Sequence, residues 1–257
     1  MKRLIYNNLT KWKENPNRKP LILNGAHQVG KTWILKEFGQ REYSNMAYIK
    51  CESTEQIEEV FKDFNVSRMA TALSVVSGID IDPEKTLIFL DEVQEYPRAL
   101  TALKYFCEDA PQYHVVVAGS LLGISLHQGI SFPVGKVDMM NLYPMTLAEF
   151  VLAMGNKQAA SMLLDGNMKE MDALNSFFIE YLRQYYYVGG MPAAVKAFSE
   201  NRMPNEARKI QKQILSDYRK DFSKHTSRSE AERGSVGCID GCVGQRHAAG
   251  QQCLLGV

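Results

Sequence analysis

The sequence predicts an α/β fold in which a parallel five-stranded sheet lies between helices, as an αβα sandwich, and is followed by a helical segment. Residues 21–32, LILNGAHQVGKT, place an apolar run directly before a glycine-bounded loop that leads into a helix. From residue 20 to about residue 145, strand patterns alternate with helical patterns. This alternation is typical of parallel sheets whose strands are joined by right-handed crossovers. Only helical patterns follow.

The loop matches the phosphate-binding pattern G-x-x-x-x-G-K-[ST] at every fixed position. Glycines at both ends allow backbone N–H groups to turn inward around phosphate oxygens, at the positive end of the next helix. Lys31 is expected to contact the β- and γ-phosphates of ATP, and the Thr32 hydroxyl to bind Mg²⁺. The predicted nucleotide contacts are Gly25, Ala26, His27, Gln28, Val29, Gly30, Lys31, Thr32 and Trp33.

Hydrophobic spacing predicts the remaining elements. An N-terminal helix over residues 3–14 carries apolar residues at helical spacing and ends at Asn15-Pro16-Asn17. Four further strands are predicted at residues 46–50, 86–90, 113–118 and 137–142. Helices are predicted at residues 33–38, 54–64, 68–76, 98–110, 146–152, 157–164, 171–187 and 205–224, with a break at 189–192 before the last of them.

Two carboxylates follow the apolar run at residues 86–90, which suits a strand buried on both faces. Carboxylates at the end of a buried strand are costly unless they have a function, and in P-loop NTPases the aspartate there holds Mg²⁺. We therefore assign Asp91 to Mg²⁺ and Glu92 to the polarisation of a water against the γ-phosphate. A merely solvated strand end is the less favoured interpretation because a phosphate-binding loop precedes it.

Three other features have competing interpretations. Ser120 follows the fourth predicted strand, and it either contacts the γ-phosphate or the attacking water, or simply begins a Gly-Ser loop. The tyrosines at 185–187 are interpreted as a buried helix end, because no basic residues are interleaved with them as in base-stacking surfaces. Basic residues in the predicted helix 205–224 fit a solvated helix face better than a nucleic-acid surface.

The composition is typical of a soluble globular protein, with 45% hydrophobic and 23% charged residues. A formal net charge of +1 gives no global case for binding nucleic acid or an anionic membrane. No signal-peptide core or membrane-spanning apolar run is found, so a cytoplasmic location is expected. Five cysteines, an odd number, argue against a disulfide framework.

The predicted organisation is an N-terminal helix at 1–17, a P-loop core at 18–150, a helical segment at 151–230 and a tail at 231–257. The tail is rich in Gly, Cys, Ala and Gln without helix or strand periodicity, so we expect it to be disordered. A zinc site there is disfavoured because the spacing of its ligands is unusual: Cys238, Cys242, His247 and Cys253.

Together these motifs resemble the AAA+ ATPases of bacteria and archaea in which a P-loop domain precedes a C-terminal domain of unknown function. The matching stretches occur in the family's order: GAHQVGKT at 25–32, FLDEVQ at 89–94, AGS at 118–120, LYPMTLAEF at 142–150 and GGMP at 189–192. The resemblance implies an αβα core with Lys31 and Thr32 on phosphate and Mg²⁺, and Asp91 on Mg²⁺ through water. It also implies that Glu92 is the catalytic base and that Ser120 is in the sensor position.

The chain departs from that family in two places. Where the family usually has Pro-Gly-Arg, this chain has Val134-Gly135-Lys136. We count Lys136 among the candidate catalytic residues, but a lysine keeps only the charge of an arginine and loses its bidentate fork, so slow hydrolysis is expected. The family's C-terminal domain continues well past residue 230, which predicts that this chain is a truncated member.

The leading hypothesis is an ATPase that uses ATP and Mg²⁺ to move its helical segment and so act on an unidentified protein partner. The alternative is a nucleotide-gated interaction module that binds ATP with little or no hydrolysis. A nucleic-acid motor ranks last because the chain has no room for a second RecA-like domain. GTP is disfavoured because no Asn-Lys-x-Asp motif occurs. A homo-oligomer is left open, and no membrane partner is expected.

Overall fold

The computed structural model describes residues 1–51, 55–119, 133–166 and 168–225. Its strands form one sheet in the order β2-β3-β4-β1-β5, in which all pairs are parallel. Their bounds are β1 Leu21–Asn24, β2 Asn45–Lys50, β3 Thr86–Asp91, β4 His114–Gly119 and β5 Asp138–Asn141. The carboxyl ends of the strands therefore meet at one edge of the sheet. The predicted five-stranded parallel sheet is confirmed.

The described helices fall into two groups. The first flanks the sheet: α1 Ile5–Glu14, α2 Lys31–Glu42, α3 Glu55–Val60, α4 Val66–Ser77 and α5 Arg98–Asp109. The second follows β5 and forms the helical segment: α6 Leu147–Ala153, α7 Lys157–Asp165, α8 Met168–Ala173, α9 Asn175–Val188, α10 Pro192–Asn201 and α11 Pro204–His225. Within the described ranges, none of the helices has the length and apolar character needed to span a membrane.

Alternation along the strands separates the core into two layers. In β1, Ile22 packs with residues of α3, α4 and α5, whereas Leu21 and Leu23 pack with α1 and α2 on the other face. Every position of β3 is buried, as the continuous apolar run predicts. A third cluster fills the helical segment around Phe150 and Phe198. The result is the predicted αβα sandwich followed by helices.

The helical segment contains two differences from the sequence prediction. Residues 192–201 form α10, although the Gly-Gly-Met-Pro stretch before it predicts only a break. Pro192 lies in the first turn of α10, where the backbone N–H that proline lacks would have no partner within the helix. This stretch therefore ends α9 and begins α10. The helix predicted over 171–187 is divided into α8 and α9, because Leu174 leaves the helical conformation between them.

The tyrosine run of α9 is also different from its interpretation as a buried helix end. Tyr186 is 71% exposed and Tyr187 is 47% exposed, so that interpretation is wrong for both. Only Tyr185 is partly buried, and its hydroxyl donates a hydrogen bond to the Met145 carbonyl at 2.7 Å. Consecutive helical residues are about 100° apart around the axis, so three in a row cannot all face the same core.

A histidine is buried at the start of β4. His114, the first residue of β4, is 7% exposed, and its Nδ1 lies 2.6 Å from the Tyr43 hydroxyl. Burial, together with the positive charges of Arg18 and Lys13, lowers the pKa of His114 from 6.5 to about 4. The folded protein therefore keeps this imidazole neutral at pH values where an unfolded chain would protonate it.

We expect the free energy of unfolding to fall as the pH drops from 6.5 towards 4, because only the unfolded state takes up the proton of His114 in that window. One such group contributes a slope of at most about 1.4 kcal/mol per pH unit. Urea unfolding across this pH range measures the slope. The variant His114→Gln should show a shallower pH dependence, and equal slopes for the two proteins would contradict the prediction.

Candidate functional site

The loop Gly25–Thr32 (the P-loop) joins β1 to α2 at the carboxyl edge of the sheet. Gln28 and Gly30 both adopt left-handed backbone conformations, with φ of 63° and 94°. Such turns make a concave nest of backbone N–H groups that binds anions. At position 25, a Cβ atom would lie 2.4 Å from the Leu142 carbonyl oxygen, so glycine is required for the loop to pass the end of β5. The sequence thus folds into the nest that its glycine spacing predicts.

Lys31 lies inside this loop and is 7% exposed. Its Nζ donates hydrogen bonds to the carbonyl oxygens of Gly25 at 2.9 Å and Ala26 at 3.0 Å. Burial lowers the pKa of the Lys31 ammonium, and the carboxylates of Glu92 and Asp91 partly oppose that shift. The ammonium is therefore held at the centre of the loop, close to both carboxylates.

Asp91 ends β3 and is 3% exposed. Its Oδ2 accepts hydrogen bonds from the Thr32 hydroxyl at 2.9 Å and from the Tyr48 hydroxyl at 3.0 Å. The pKa of Tyr48 rises to about 12, because of its burial and because of the negative charge that it faces. Asp91 is thus held by one hydroxyl from the first turn of α2 and one from β2.

The oxygens of Thr32 and Asp91 fit a magnesium site. Mg²⁺ is usually held by one or two carboxylates together with substrate phosphates and waters, rather than by a cage made entirely of protein. The Thr32 hydroxyl and the Asp91 carboxylate supply adjacent hard oxygens at the P-loop. Nowhere in the described ranges do three or more His, Cys, Asp or Glu side chains form a potential metal cluster.

Glu92 follows Asp91 in a left-handed conformation, with φ of 54° and ψ of 43°. This conformation is uncommon for a residue other than glycine, and backbone strain of this kind is often found at active sites. The side chain is partly buried and accepts a hydrogen bond from the Gln94 amide. A strained backbone therefore presents a carboxylate next to the loop that holds Lys31, where a general base would be needed.

The structure does not bring every predicted site residue to the P-loop. Lys136 pairs with Glu108 at 2.8 Å, near the end of α5 and the start of β5. This ion pair lies at the amino ends of the strands, on the side of the sheet opposite to the P-loop. Ser120 and the tail residues Cys238, Cys242, His247 and Cys253 lie outside the described residues. The catalytic role of Lys136 and the sensor role of Ser120 stay predictions.

Trp33 lies on α2 directly after the P-loop and is 45% exposed. It borders a groove of about 390 Å³ between α1 and α2, which is also lined by Met1 and Tyr6. The groove gives Trp33 an accessible aromatic surface at the place where the sequence predicts a nucleotide contact.

A family model described as an AAA domain matches residues 17–151, which is more than half of the chain. The chain belongs to this AAA family. The P-loop, the parallel sheet and the family resemblance agree, and they make residues 17–151 a nucleotide-binding P-loop ATPase domain. A second model, described as a domain of unknown function, matches residues 179–235. A search of curated proteins found no match.

Several side chains that contact the AAA site are not predicted by the sequence. Tyr48 binds Asp91, Arg3 binds the P-loop carbonyl of Val29, and Tyr218 binds the carbonyl of His27. One sequence signal indicates a part of this network. The Thr-x-x-Glu spacing at 146–149 is that of a capping box, and its glutamate also binds Arg3.

Proposed function

We propose that this protein binds ATP with Mg²⁺ at the carboxyl ends of the strands and hydrolyses it. The convergence of Lys31, the Thr32–Asp91 pair and Glu92 at one loop carries this proposal. An ammonium for phosphates, oxygens for a divalent cation and a separate carboxylate for a water molecule are the parts that phosphoryl transfer to water requires.

In the proposed reaction, the backbone N–H groups of the P-loop and the Lys31 ammonium hold the β- and γ-phosphates. Thr32 and Asp91 would hold Mg²⁺, which neutralises negative charge on the phosphate oxygens when it is bound. Glu92 accepts a proton from a water molecule as that water attacks the γ-phosphorus in line with the leaving oxygen of ADP. Trp33, which directly follows the P-loop on α2, would contact the nucleotide.

The contacts of α11 support the proposal that nucleotide binding acts on the helical segment. The Gln28 amide donates a hydrogen bond to Asp217 at 3.0 Å, and the Tyr218 hydroxyl donates one to the His27 carbonyl at 2.6 Å. These hydrogen bonds would therefore transmit a conformational change in the P-loop directly to α11, the longest described helix. We propose that this movement acts on a protein partner, which is either a different protein or another copy of this chain.

A nucleotide-gated module with little hydrolysis is the second candidate. The position of Lys136 favours it, because its ammonium is paired with Glu108 on the side of the sheet opposite to the P-loop and gives no positive charge to the γ-phosphate of the same chain. An arginine finger raises phosphoryl-transfer rates strongly, so a site in which Lys31 is not joined by a second cation on the γ-phosphate would turn over slowly.

ATP binding and phosphate release by the purified protein distinguish the two candidates. We expect Trp33 fluorescence to change saturably with MgATP, because Trp33 is exposed whereas Trp12, the other of the two tryptophans, is 5% exposed. We also expect phosphate release that requires Mg²⁺. Binding without release would favour the gated module, and no binding would contradict both candidates. Size-exclusion chromatography with and without ATP tests whether copies of the chain associate.

A further inference from the structure

A buried ion pair joins the N-terminus of the chain to the start of the helical segment. Arg3 Nε lies 3.0 Å from Glu149 Oε1, and both side chains are 5% exposed. Burying two charges is expensive, so a buried ion pair is weak support for a purely stabilising role. The other hydrogen bonds of the two groups indicate what the pair does.

The remaining donors of Arg3 reach two backbone carbonyls. Nη1 donates to the Val29 oxygen of the P-loop at 2.9 Å, and Nη2 donates to the Tyr143 oxygen at 2.6 Å. The guanidinium is planar and rigid, so it holds these oxygens and Glu149 in one geometry. An ammonium could not reach all three at once. Arg3 therefore fixes the position of one P-loop carbonyl.

The Glu149 carboxylate holds Arg3 in place and also accepts hydrogen bonds from two backbone N–H groups. Its Oε1 accepts from the Leu4 backbone N–H at 2.7 Å, and its Oε2 accepts from the Thr146 backbone N–H at 2.9 Å. Glu149 is thus part of the capping box that begins α6. The LYPMTLAEF stretch therefore provides the counter-ion that orients Arg3, and this contact connects the P-loop to the helical segment.

A second P-loop carbonyl is held in a similar way from α11. The Tyr218 hydroxyl donates to the His27 oxygen at 2.6 Å. Because a peptide unit is planar and trans, a carbonyl and the N–H of the following residue point in opposite directions. Holding the His27 and Val29 oxygens outward therefore directs the N–H groups of Gln28 and Gly30 to the other side of the loop.

We propose that Arg3 and Tyr218 are positioning residues of the nucleotide site. They hold two outward-facing carbonyls of the P-loop, so that the N–H groups of Gln28 and Gly30 face the phosphates before nucleotide arrives. This inference rests on the proposed binding of ATP at the P-loop. Preorganised donors lose less entropy on binding, so loss of either positioning residue should weaken the binding of polyphosphates in general.

The test compares Tyr218→Phe and Arg3→Lys with two matched controls in the helical segment. Tyr185→Phe removes a hydroxyl that also donates to a backbone carbonyl, and Arg202→Lys changes a guanidinium that donates to the Met154 carbonyl at 2.9 Å. Neither control bond involves the P-loop. Each variant is assayed for its thermal unfolding midpoint without ligand and for its Kd for MgATP and for tripolyphosphate, which carries phosphates but no base.

We expect Tyr218→Phe to raise the Kd for MgATP by roughly fivefold and Arg3→Lys by roughly tenfold. The Kd for tripolyphosphate should rise by the same factors. The controls should lower the unfolding midpoint while leaving both Kd values within about twofold. Tyr218→Phe retains its ring, so it tests the idea even where Arg3→Lys folds poorly.

Unchanged Kd values in folded Tyr218→Phe and Arg3→Lys proteins would overturn the positioning role while leaving ATP binding in place. Equal losses of affinity in the variants and in their controls would also overturn it, because they would indicate a general effect of stability. A wild-type protein that binds neither ATP nor tripolyphosphate would overturn the nucleotide site itself and this inference with it.

Discussion

Replacing Lys31 with alanine should weaken ATP binding by roughly thirtyfold or more. The ammonium lies within the loop, where it donates to the carbonyls of Gly25 and Ala26 and is ready to exchange them for phosphate oxygens. Truncating one partner of a buried, hydrogen-bonded charge pair costs about 2–5 kcal/mol, which is roughly thirtyfold or more in Kd. Titration of Trp33 fluorescence with MgATP measures the loss.

The control for this variant is Lys62→Ala. Lys62 is an exposed lysine whose side chain is 68% exposed and pairs only weakly with Glu59 at 3.4 Å, so its removal changes the net charge equally without contacting the P-loop. It should bind ATP as the wild type does. Thermal unfolding of both variants without nucleotide is needed because Lys31→Ala leaves two loop carbonyls without their donor. ATP binding by folded Lys31→Ala at wild-type affinity would contradict the assignment of the loop.

The parallel sheet was predictable because its signals are local. Each buried strand is a short apolar run, and the strand before the P-loop leads into a glycine pattern that few other structures require. Asp91 and Glu92 were predictable for a related reason. The carboxyl ends of parallel strands all meet on one side of the sheet, so charged residues at the end of β3 lie on the same side as the loop after β1, with β4 between the two strands.

The contacts that hold the P-loop from outside were not predictable from the sequence. Arg3 and Glu149 are far apart in the chain, and nothing in their spacing shows that they meet. Tyr218 lies on a helix whose basic residues suggest only a solvated surface, yet its hydroxyl reaches the loop. Such contacts depend on how the helical segment packs on the sheet, which hydrophobic periodicity does not specify.

The sequence patterns fail to predict α10 for a different reason. Gly189 and Gly190 are break signals, and Pro192 also ends helices when it lies inside them. Here the proline begins the next helix, and Gly190 is needed because a Cβ atom there would lie 2.4 Å from the Met145 carbonyl oxygen. Gly190 therefore marks a close backbone approach, whereas Gly189 ends α9 with a φ of 73°. Single-sequence patterns cannot distinguish these two uses of glycine.

The variant Glu92→Gln should retain ATP binding but lose turnover. The amide keeps the size and shape of the carboxylate and can still accept the hydrogen bond from Gln94, but it cannot accept a proton from water. General-base catalysis contributes about 10²–10⁴-fold to rate, so phosphate release should fall by that factor while the Kd for MgATP changes little. Phosphate release under saturating MgATP, with fluorescence titration of the same sample, separates the two quantities.

Glu95→Gln is the matched control, because Glu95 lies three residues further along on the short 3-10 helix Val93–Glu95 and is exposed. The same chemical change there should leave both binding and turnover unchanged. Undiminished phosphate release by Glu92→Gln would contradict the role of Glu92 as the base. Equal loss of ATP binding and turnover would instead show that Glu92 acts on the ground state, through the carboxylate charge that Lys31 faces in the loop.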